Sequence, residues 1–392
     1  MLLHQHFNTP QEGGALRSYY LAKSLVDRGV SVSVITRANI ESCKQEFIDG
    51  IDVHYLPIVY FNRFGFFNRI RSYYNFFISA ARYAAKIRDA DLCYIISTPL
   101  TTGLAGIWIK RKHRIPFIFE VGDLWPDAPI QLGYIKNPIV KAILYAIEKK
   151  IYQEAHSVVA LSPTIQKEIE RKVPEKKIST LTNMADVEFF RTEQKRLDLE
   201  EQFLVSGNFV VSYIGTLGIA NGLDYFIECA RACQKARLGV KFIVCGEGGM
   251  LNHLKHAASK LELKNVLFVP FQNRDGVKQV MNISDAVFVS YKNVPVLETG
   301  SPNKYFDGLA AGKLIIINIG GWIKDEIENE QCGISLHPAH PAEIVTKITP
   351  FINEGARLRQ FQHRARRLAE LKYARGILGD YFFGLVSDAI SR

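Results

Sequence analysis

A chain of 392 residues with 47% hydrophobic and 22% charged residues has a globular composition, which excludes long disordered stretches. Its length exceeds what one core of ordinary size covers, so two domains of roughly 150–200 residues are expected. The net charge of +10 predicts an anionic partner, and nucleic acid, an anionic membrane surface and a diphosphate substrate all qualify.

Two further features concern location and metals. We find no run of roughly 18 apolar residues and no basic-then-apolar leader, so we expect a cytoplasmic protein without a spanning helix. The six cysteines are scattered through apolar segments. Buried thiols are therefore favoured over a metal site, and no metal is expected.

Short apolar segments of buried-strand length alternate with helical segments in the first half of the chain. A helix opens near Gly14 and closes at Gly29, and another begins at Pro138, a position that tolerates proline. This alternation predicts a parallel, doubly wound sheet. The predicted strands cover residues 30–36, 91–97, 116–121 and 157–161.

A polar, charged stretch over residues 191–207 interrupts this pattern, and we place the domain boundary there. The alternation then restarts, which predicts two Rossmann-like α/β domains that face each other across a cleft. Ligands of such sheets bind beyond the carboxyl ends of the strands. The predicted strands of the second half cover residues 208–214, 240–245, 265–270, 285–291 and 313–318. The predicted domains are 1–195 and 205–375, with a C-terminal helix over 376–392 that packs back on the first.

Glycine-rich loops follow two strands of the second domain. Gly215, Thr216 and Gly218 follow the first of them, and Gly246 and Glu247 follow the next. Glycines let the backbone approach an anion, and a helix N-terminus offers free amides. Either loop alone fits a tight strand-to-helix turn equally well. The pair together favours a phosphate-binding site.

The segment ETGSPNKYFDGLAAG combines a helix start with charged side chains. Ser301 and Pro302 predict an N-cap followed by the first helical residue. The amides of Asn303 and Lys304 would then face the cleft beside the Lys304 ammonium, which suits a diphosphate. Asp307, about one turn further, is placed to accept hydrogen bonds from ribose hydroxyls. A capped core helix is the structural alternative.

In the first half, Gly13 and Gly14 follow a short first strand and precede a helix that contains Arg17. The two glycines allow a substrate close to the backbone, and the arginine lies one turn inside the helix. We expect this loop to contact a substrate.

A second loop of the first half carries Asp123, Trp125 and Asp127 after the strand PFIFEV. Carboxylates and an indole face at a strand end make a plausible sugar platform. In the structural alternative Trp125 fills the core and Asp123 caps a helix.

Residues 57–88 carry six cationic and ten aromatic side chains and no acidic residue. On a helix this pattern suits contact with an anionic lipid surface. A core helix with a solvated basic face is the alternative. Stacking on nucleic-acid bases is a third reading, but nothing in the sequence resembles a nucleic-acid module, and we expect no nucleic-acid partner.

These segments resemble glycosyltransferase family 4, and more closely the bacterial branch that builds O-antigen and capsule polysaccharide, including N-acetyl-L-fucosamine transferases. VGDLWPD, LTNMADVEFF, YIGTLGIANGLD, VCGEGG and SPNKYFDGLAAGK occur in the family's order through nearly the whole chain. The resemblance implies a GT-B fold, a UDP-sugar donor in the second domain, an acceptor in the first, no metal, and retention of anomeric configuration. The donor sugar it implies is an N-acetylated deoxyhexose.

The same resemblance implies partners and a location. The acceptor would be saccharide or lipid-linked, typically through a polyprenyl diphosphate. The protein would associate peripherally with the cytoplasmic face of the inner membrane through residues 57–88.

The sequence departs from the family in the donor segment. Thr299 and Asp307 stand where the wider family has two glutamates, with Glu298 next to the first position. Asp307 can keep the family's contact with the ribose, whereas the family's contact with the donor sugar is lost at Thr299.

A second departure is the loss of two cations in the first glycine-rich loop. Thr216 and Asn221 stand where the family has arginine and lysine. Lys304 and Arg274 are the candidates to replace these two cations. The first strand is also shorter than the family's.

The resemblance implies front-face displacement assisted by the leaving diphosphate, with no protein nucleophile. The enzyme then stabilises that diphosphate and orients the acceptor hydroxyl. The residues expected to take part in catalysis are Lys304, Asp123 and Glu298. The residues expected to bind the donor are Gly215, Thr216, Gly218, Gly246, Glu247, Arg274, Ser301, Asn303, Lys304 and Asp307. The residues expected to bind the acceptor are Gly13, Gly14, Arg17, Trp125 and Asp127.

Two other functions fit the same fold. A UDP-N-acetylglucosamine 2-epimerase needs no acceptor, and it has no use for the basic, aromatic segment 57–88. A catalytically inactive GT-B binding protein is the second alternative, and it need not bind UDP.

Overall fold

The computed structural model describes residues 1–14, 16–61, 64–87 and 89–391. Contacts between these residues divide the chain into two compact units. The first unit comprises Met1–Thr182, Thr299–Ser301 and Gly376–Arg392. The second comprises Asn183–Glu298 and Pro302–Arg375.

The first unit is built on an eight-stranded sheet with the order β3-β4-β2-β1-β5-β6-β7-β8. All neighbouring strands are parallel except β3 and β4. Strands β2, β5, β6 and β7 lie where the alternation of apolar segments predicts them, whereas β4 and β8 were not predicted. The strands are β1 (Leu2–Leu3), β2 (Val32–Ala38), β3 (Lys44–Ile48), β4 (Ile51–Pro57), β5 (Cys93–Ile96), β6 (Phe117–Val121), β7 (Ser157–Ala160) and β8 (Ile178–Thr180).

The antiparallel hairpin of β3 and β4 was missed by the sequence analysis. Its two strands are joined by Asp49 and Gly50, which have φ angles of 50° and 87°. An Asp-Gly pair with positive φ at both positions is typical of a two-residue hairpin turn. The dipeptide between two alternating segments was therefore the available signal.

Among the described residues, six helices of the N-terminal segment accompany this sheet. Asn137 caps the fifth by accepting from the amide of Ile139 at 2.9 Å, and Ser162 caps the sixth by accepting from that of Ile165 at 3.0 Å. The helices are α1 (Arg17–Val26), α2 (Phe66–Ala84), α3 (Thr101–His113), α4 (Asp127–Gln131), α5 (Pro138–Glu154) and α6 (Pro163–Lys172).

The second unit has a six-stranded, wholly parallel sheet with the order β11-β10-β9-β12-β13-β14. Phe226, Phe242 and Phe288 pack together on one face of this sheet. The strands are β9 (Phe209–Ile214), β10 (Val240–Cys245), β11 (Val266–Val269), β12 (Ala286–Val289), β13 (Leu314–Ile317) and β14 (Gly333–Ser335).

The helices of the second unit alternate with its strands. They are α7 (Leu197–Gln202), α8 (Asp224–Lys235), α9 (Leu251–Lys260), α10 (Arg274–Ile283), α11 (Asn303–Ala310), α12 (Trp322–Asn329), α13 (Glu343–Asn353) and α14 (Gly355–Leu368). A π-helical turn, Ala369–Tyr373, follows α14.

The unit boundary differs from the expected linker at residues 191–207. The first long segment of the first unit ends at Thr182, and the stretch 191–207 belongs to the second unit. The reason is that this charged stretch contains Leu199 and Val205, which are buried against Val210 and Ile243 of the second sheet. A short amphipathic helix, α7, therefore occupies the place of the expected linker.

The C-terminal helix, α15 (Arg375–Ile390), contacts the first unit. The ring of Phe382 lies 4.8 Å from that of Tyr94, measured between centroids, and Arg28 forms an ion pair with Asp380. No helix among the described residues is both long and apolar enough to span a bilayer.

Candidate functional site

Two glycine-rich loops lie side by side at the carboxyl ends of β9 and β10. The amide of Gly215 donates to the carbonyl of Cys245 at 2.9 Å, and the amide of Leu217 donates to that of Glu247 at 2.8 Å. A Cβ atom on Gly246 would lie 2.1 Å from the carbonyl oxygen of Gly215. Glycine is therefore required where the two loops touch.

Thr216 anchors the first of these loops through its backbone. Its carbonyl accepts from the hydroxyl of Tyr213 at 2.7 Å and from the side-chain amide of Asn221 at 2.8 Å. The Thr216 residue itself is exposed. A Cβ atom on Gly218 would lie 3.6 Å from the side-chain amide of Asn221, which is an ordinary contact distance. The space at this position therefore does not require glycine.

Helix α11 begins one residue later than the sequence analysis expects. Pro302 takes the N-cap position, and the helix starts at Asn303, so Ser301 is not the N-cap. Pro302 has extended dihedral angles, φ −75° and ψ 134°, which suit a residue that precedes a helix. The amides of Asn303 and Lys304 lie in the first turn, where the helix supplies no acceptor. Buried Ser301 belongs with Thr299 to the first unit.

The Lys304 side chain lies beside the first glycine loop. Its Nζ lies 4.6 Å from the centroid of the Tyr213 ring and 5.4 Å from that of Tyr291. A Cβ on Gly215 would lie 3.5 Å from its Cε. Burial lowers the pKa of Lys304 to about 8, and the negative charge of Asp307 acts in the opposite direction. A bound anion would favour the charged ammonium.

Asp307 follows Lys304 on α11 and is half-buried. Burial raises its pKa to about 7, although Arg375, Arg274 and Lys304 favour the carboxylate. Near neutral pH this carboxyl group is thus present both as the charged form, which accepts hydrogen bonds, and as the neutral form, which can donate one. Arg375 was not identified from the sequence because no motif surrounds it.

Arg274 lies at the start of α10 and is already engaged. It forms an ion pair with buried Asp186, and its guanidinium stacks on the ring of Phe189 at 3.8 Å. Arg375 reaches the same carboxylate at 2.8 Å. Direct contact of Arg274 with a diphosphate stays a prediction. Within the second unit, three cations (Arg274, Lys304 and Arg375) are grouped with two carboxyl groups (Asp186 and Asp307).

Glu298 lies against the turn that follows β13. A Cβ on Gly320 would meet its carboxylate at 3.1 Å, and one on Gly321 would lie 2.3 Å from its carbonyl oxygen. Gly321 is the N-cap of α12, so the carboxylate is near a helix N-terminus, where a negative charge is stabilising. This packing accounts for Glu298 structurally, and its catalytic role stays a prediction.

In the first unit Arg17 makes a buried bidentate ion pair with Glu120. Its Nε and Nη2 donate to the two carboxylate oxygens, each at 2.9 Å. Nη2 also donates to the carbonyl of Leu181 at 2.8 Å, and Nη1 donates to that of Thr182. The guanidinium thus ties α1 to β6 and to the residues after β8. This structural role was not expected, and acceptor contact by Arg17 stays a prediction.

The loop before α1 turns tightly around Glu12. The amides of Glu12 and Gly13 donate to the carbonyl of Thr9 at 3.0 and 3.1 Å, and the Glu12 carboxylate accepts from the Thr9 amide at 2.7 Å. Gly13 and Gly14 have φ angles of 73° and 81°, which favour glycine. A Cβ on Gly13 would have open space in front of it, so backbone is accessible there.

The loop after β6 carries the three other side chains expected at the acceptor. Asp123 is exposed, yet loss of hydration at its carboxyl raises its pKa above the ordinary value. Trp125 is half-buried. Asp127 accepts from the hydroxyl of Tyr145 at 2.7 Å and from Lys172 at 2.8 Å. Both of its oxygens therefore connect α4 with α5 and α6, a packing role that the sequence did not indicate.

The basic, aromatic segment 57–88 contains α2, and its Arg63 and Arg88 lie outside the described residues. One face of α2 is buried through Ser72, Phe76 and Ala80. Its exposed residues include Phe67, Arg69, Ile70, Arg71 and Tyr74. In the part of the chain that the structure describes, no group of three or more His, Cys, Asp or Glu side chains could hold a metal ion.

Two family models match the chain. Residues 12–183 match the Glycosyl transferase 4-like domain, and residues 194–368 match Glycosyl transferases group 1. Alpha-D-kanosaminyltransferase of Streptomyces kanamyceticus is 20% identical over 65% of both chains. The capsular polysaccharide biosynthesis glycosyltransferase CapM of Staphylococcus aureus is 24% identical over 60% of this chain and 62% of its own. The chain thus spans less than two thirds of the length of these relatives.

Solved structures resemble the chain over nearly its whole length. Sucrose-phosphate synthase of Thermosynechococcus elongatus has a TM-score of 0.79 at 14% identity, with 100% of this chain and 98% of that chain covered. HepE of Anabaena, in complex with UDP-glucose, has a TM-score of 0.71 at 17% identity, with 99% and 98% covered. The two α/β units thus have the GT-B fold. The chain belongs to the glycosyltransferases, with a glycosyl transferase 4-like domain followed by a group 1 domain.

Proposed function

We propose that the chain transfers a sugar from a UDP-linked donor, with retention, to a saccharide or lipid-linked acceptor in surface-polysaccharide synthesis. The donor sugar is an N-acetylated deoxyhexose, and the product belongs to O-antigen or capsule. A relative that acts in capsule synthesis and a structural neighbour that binds UDP-glucose support this class of substrates. The observation that carries the proposal is the position of Lys304 beside the loop of Gly215.

The donor diphosphate lies at Gly215, Gly246 and the first turn of α11. Backbone amides and the half-buried Lys304 ammonium supply positive charge there, in place of the two loop cations that the family has. Charge that develops on the leaving diphosphate is stabilised more strongly where water is excluded. This stabilisation is the main contribution of the second unit to the reaction.

Asp307 accepts hydrogen bonds from the ribose hydroxyls. Its carboxylate is the charged form in this role, and Arg375, Arg274 and Lys304 all favour that form. Hydrogen bonds to a charged acceptor contribute about 1.5–3 kcal/mol, enough to select a nucleotide with a free ribose.

The first unit binds the acceptor through Gly13, Gly14, Asp123 and Trp125. The accessible backbone at Gly13 and the half-buried indole of Trp125 provide a surface for a sugar ring. The raised pKa of Asp123 makes its carboxylate a stronger base than usual, which suits orientation of an acceptor hydroxyl. Positioning of this hydroxyl is the contribution of the first unit.

The exposed basic and aromatic side chains of α2 contact the anionic cytoplasmic face of the inner membrane. Arg69 and Arg71 flank exposed Ile70, and exposed Phe67 lies one turn before Arg71 on the same helix. Basic and apolar side chains together suit binding at an anionic lipid surface. This contact brings the enzyme to a lipid-linked acceptor such as a polyprenyl diphosphate-linked sugar.

A donor screen tests the proposal. UDP should raise the melting temperature, because binding to the folded state adds about 2.7 kcal/mol to the free energy of unfolding at a hundredfold excess over the Kd. GDP and dTDP should raise the melting temperature less. Incubation with UDP-sugars and a lipid-linked acceptor should then give a product of the same anomeric configuration by NMR. Sugar epimerisation without an acceptor would identify an epimerase instead, and absence of UDP binding would identify an inactive binding protein.

A further inference from the structure

Three side chains from different loops and strands meet at one edge of the first sheet. His6 follows β1, Arg37 lies near the end of β2, and Tyr60 follows β4. These three strands are parallel neighbours, so the three residues lie at the carboxyl edge of the sheet. Ligands of doubly wound sheets bind at this edge. We call His6, Arg37 and Tyr60 the β-edge cluster.

Tyr60 brings the other two side chains of the cluster together. The centroid of its ring lies 4.9 Å from that of His6 and 4.9 Å from Cζ of Arg37. Tyr60 is itself fixed, because its amide donates to Oδ1 of Asn39 at 2.9 Å and its ring stacks on that of Tyr73, with 6.1 Å between the centroids. Arg37 and His6 therefore contact one supported aromatic ring.

Arg37 is a partly buried cation without a counter-ion. Its Nη1 donates to Oδ1 of Asn39 at 3.2 Å and to the carbonyl of Tyr60 at 3.3 Å, whereas its Nε is enclosed and has no acceptor. Burial lowers the pKa of the guanidinium, and no carboxylate among the described residues forms an ion pair with it. A buried charge and an unsatisfied donor both cost stability. Stability of the fold therefore does not explain this arginine.

Two donors of the cluster are left for a ligand. Nη2 of Arg37 and both ring nitrogens of His6 have no hydrogen-bond partner among the described residues, and they are not enclosed. Burial lowers the pKa of His6 to about 3, and repulsion by His4 and Arg37 acts in the same direction. His6 is thus neutral near pH 7, and a neutral imidazole has one N–H to donate. The group that would complete these contacts is an anion that accepts hydrogen bonds.

The β-edge cluster is connected to the loop of Gly13 and Gly14. The ring of His4 lies 6.2 Å from that of His6, measured between centroids. Nδ1 of His4 lies 2.9 Å from Oγ of Ser18, in the first turn of the helix that follows the two glycines. This loop joins β1 to α1, so it lies at the same edge of the sheet as the cluster.

We propose that the β-edge cluster binds an oxyanion of the acceptor substrate, with Nη2 of Arg37 and a ring nitrogen of His6 as the donors. A guanidinium is planar and suits the oxygens of a phosphate or a carboxylate. The identity of the ligand rests on the proposed function, in which the acceptor carries a diphosphate between its sugar and its lipid. A uronate carboxylate on the acceptor saccharide is the other source of the same chemistry.

Calorimetry on the full chain with saturating UDP tests this assignment, because UDP then occupies the donor site. Geranyl diphosphate should bind, whereas geraniol and glucuronic acid should not. Arg37→Gln should weaken the binding of geranyl diphosphate by about tenfold or more, since hydrogen bonds from a charged donor are lost. The Kd of UDP should stay unchanged. The matched control is Arg171→Gln, which removes an exposed arginine of α6 and should bind both ligands as the wild type does.

Asn39→Asp tests the same site while the arginine is kept. The new carboxylate retains Oδ1 for the amide of Tyr60 and gives Arg37 the counter-ion that it lacks. Because this carboxylate repels a bound anion, the variant should also weaken the binding of geranyl diphosphate by about tenfold or more. It takes the place of Arg37→Gln if that variant fails to fold.

The proposal is overturned if neither geranyl diphosphate nor glucuronic acid binds, or if their affinities are unchanged in both variants. Binding of glucuronic acid alone, weakened in Arg37→Gln, would assign the site to a carboxylate and exclude the diphosphate. Titration with UDP on the same samples separates this inference from the proposed function. Geranyl diphosphate binding that depends on Arg37 without any UDP binding would overturn the proposed function and leave the anion site standing.

Discussion

The ammonium of Lys304 lies 4.6 Å from the centre of the Tyr213 ring, within the range of a cation–π contact. Tyr213 is itself fixed, since its hydroxyl donates to the carbonyl of Thr216 at 2.7 Å. The aromatic ring therefore holds the lysine against the glycine loop before any ligand arrives. Preorganised charge of this kind stabilises a transition state without a cost of reorganisation.

Lys304→Ala should impair turnover more than UDP binding. Loss of one charge-assisted contact to the leaving diphosphate should cost about 2.7–4 kcal/mol in the transition state, the range for a lost oxyanion donor. Steady-state kinetics give kcat, and calorimetry gives the UDP affinity. The control is Lys292→Ala, which removes an exposed lysine shortly after β12. This variant should behave as the wild type. Unchanged kcat in Lys304→Ala would remove this residue from the mechanism.

Asp307→Asn should weaken UDP binding by about tenfold or more, because hydrogen bonds to a charged acceptor are lost. Calorimetry measures this affinity.

Asp307→Asn should also stabilise the ligand-free fold. The pKa of Asp307 is raised to about 7 in the folded state, so the wild type loses stability as the pH rises from about 4 to about 7. The melting temperature of Asp307→Asn should thus exceed that of the wild type at pH 8, and the difference should shrink at pH 4. A difference that grows toward pH 4 contradicts this assignment.

Gly246→Ala should disrupt the contact between the two glycine loops. The added Cβ would lie 2.1 Å from the carbonyl oxygen of Gly215, so the loops must separate, at a cost of about 1–3 kcal/mol in stability. UDP affinity should fall with it. Gly249→Ala is the matched control, since its Cβ would meet nothing within 4 Å. Equal UDP affinities for the two variants would place the diphosphate elsewhere.

Arg17→Ala should destabilise the first unit by about 3–5 kcal/mol, because buried Glu120 loses its partner. Chemical denaturation measures this loss, and Lys23→Ala on the exposed face of α1 should change little. A variant that keeps its stability but raises the KM for the acceptor would support the original expectation that Arg17 contacts the acceptor.

Arg69→Glu/Arg71→Glu should reduce binding to anionic vesicles and leave any weak binding to neutral vesicles unchanged. Basic residues near an anionic surface contribute about 1 kcal/mol each, and salt should weaken the wild-type interaction. Lys255→Glu/Lys260→Glu, an equal charge reversal on exposed residues of α9, is the control. Equal binding of the wild type to neutral and anionic vesicles would contradict electrostatic docking.

Much of the fold could be predicted from local pattern. Buried parallel strands such as β12 and β13 are continuous apolar segments, and the order of strand and helix predicts a doubly wound sheet. The glycine loops were also predictable, because glycine marks a close approach of backbones. The pairs Arg17–Glu120 and Asp186–Arg375 were not, since nothing local to either residue indicates a partner so distant in sequence. Arg274 was identified as a candidate cation for the diphosphate and Asp127 as part of a sugar platform, but their partners within the protein could not be predicted from the spacing of residues.

The position of Arg375 at the end of the second unit has a practical consequence. A fragment that stops at Leu368, where α14 ends, keeps all six described strands of this unit but lacks Tyr373 and Arg375. Tyr373 donates to Glu326, which also accepts from Tyr305 on α11, and Arg375 shares Asp186 with Arg274. Such a fragment would keep all the strands of the sheet, but Glu326 would lose its contact with Tyr373, and Asp186 would lose its contact with Arg375. Recombinant versions of the isolated unit should therefore extend from Asn183 through Arg375.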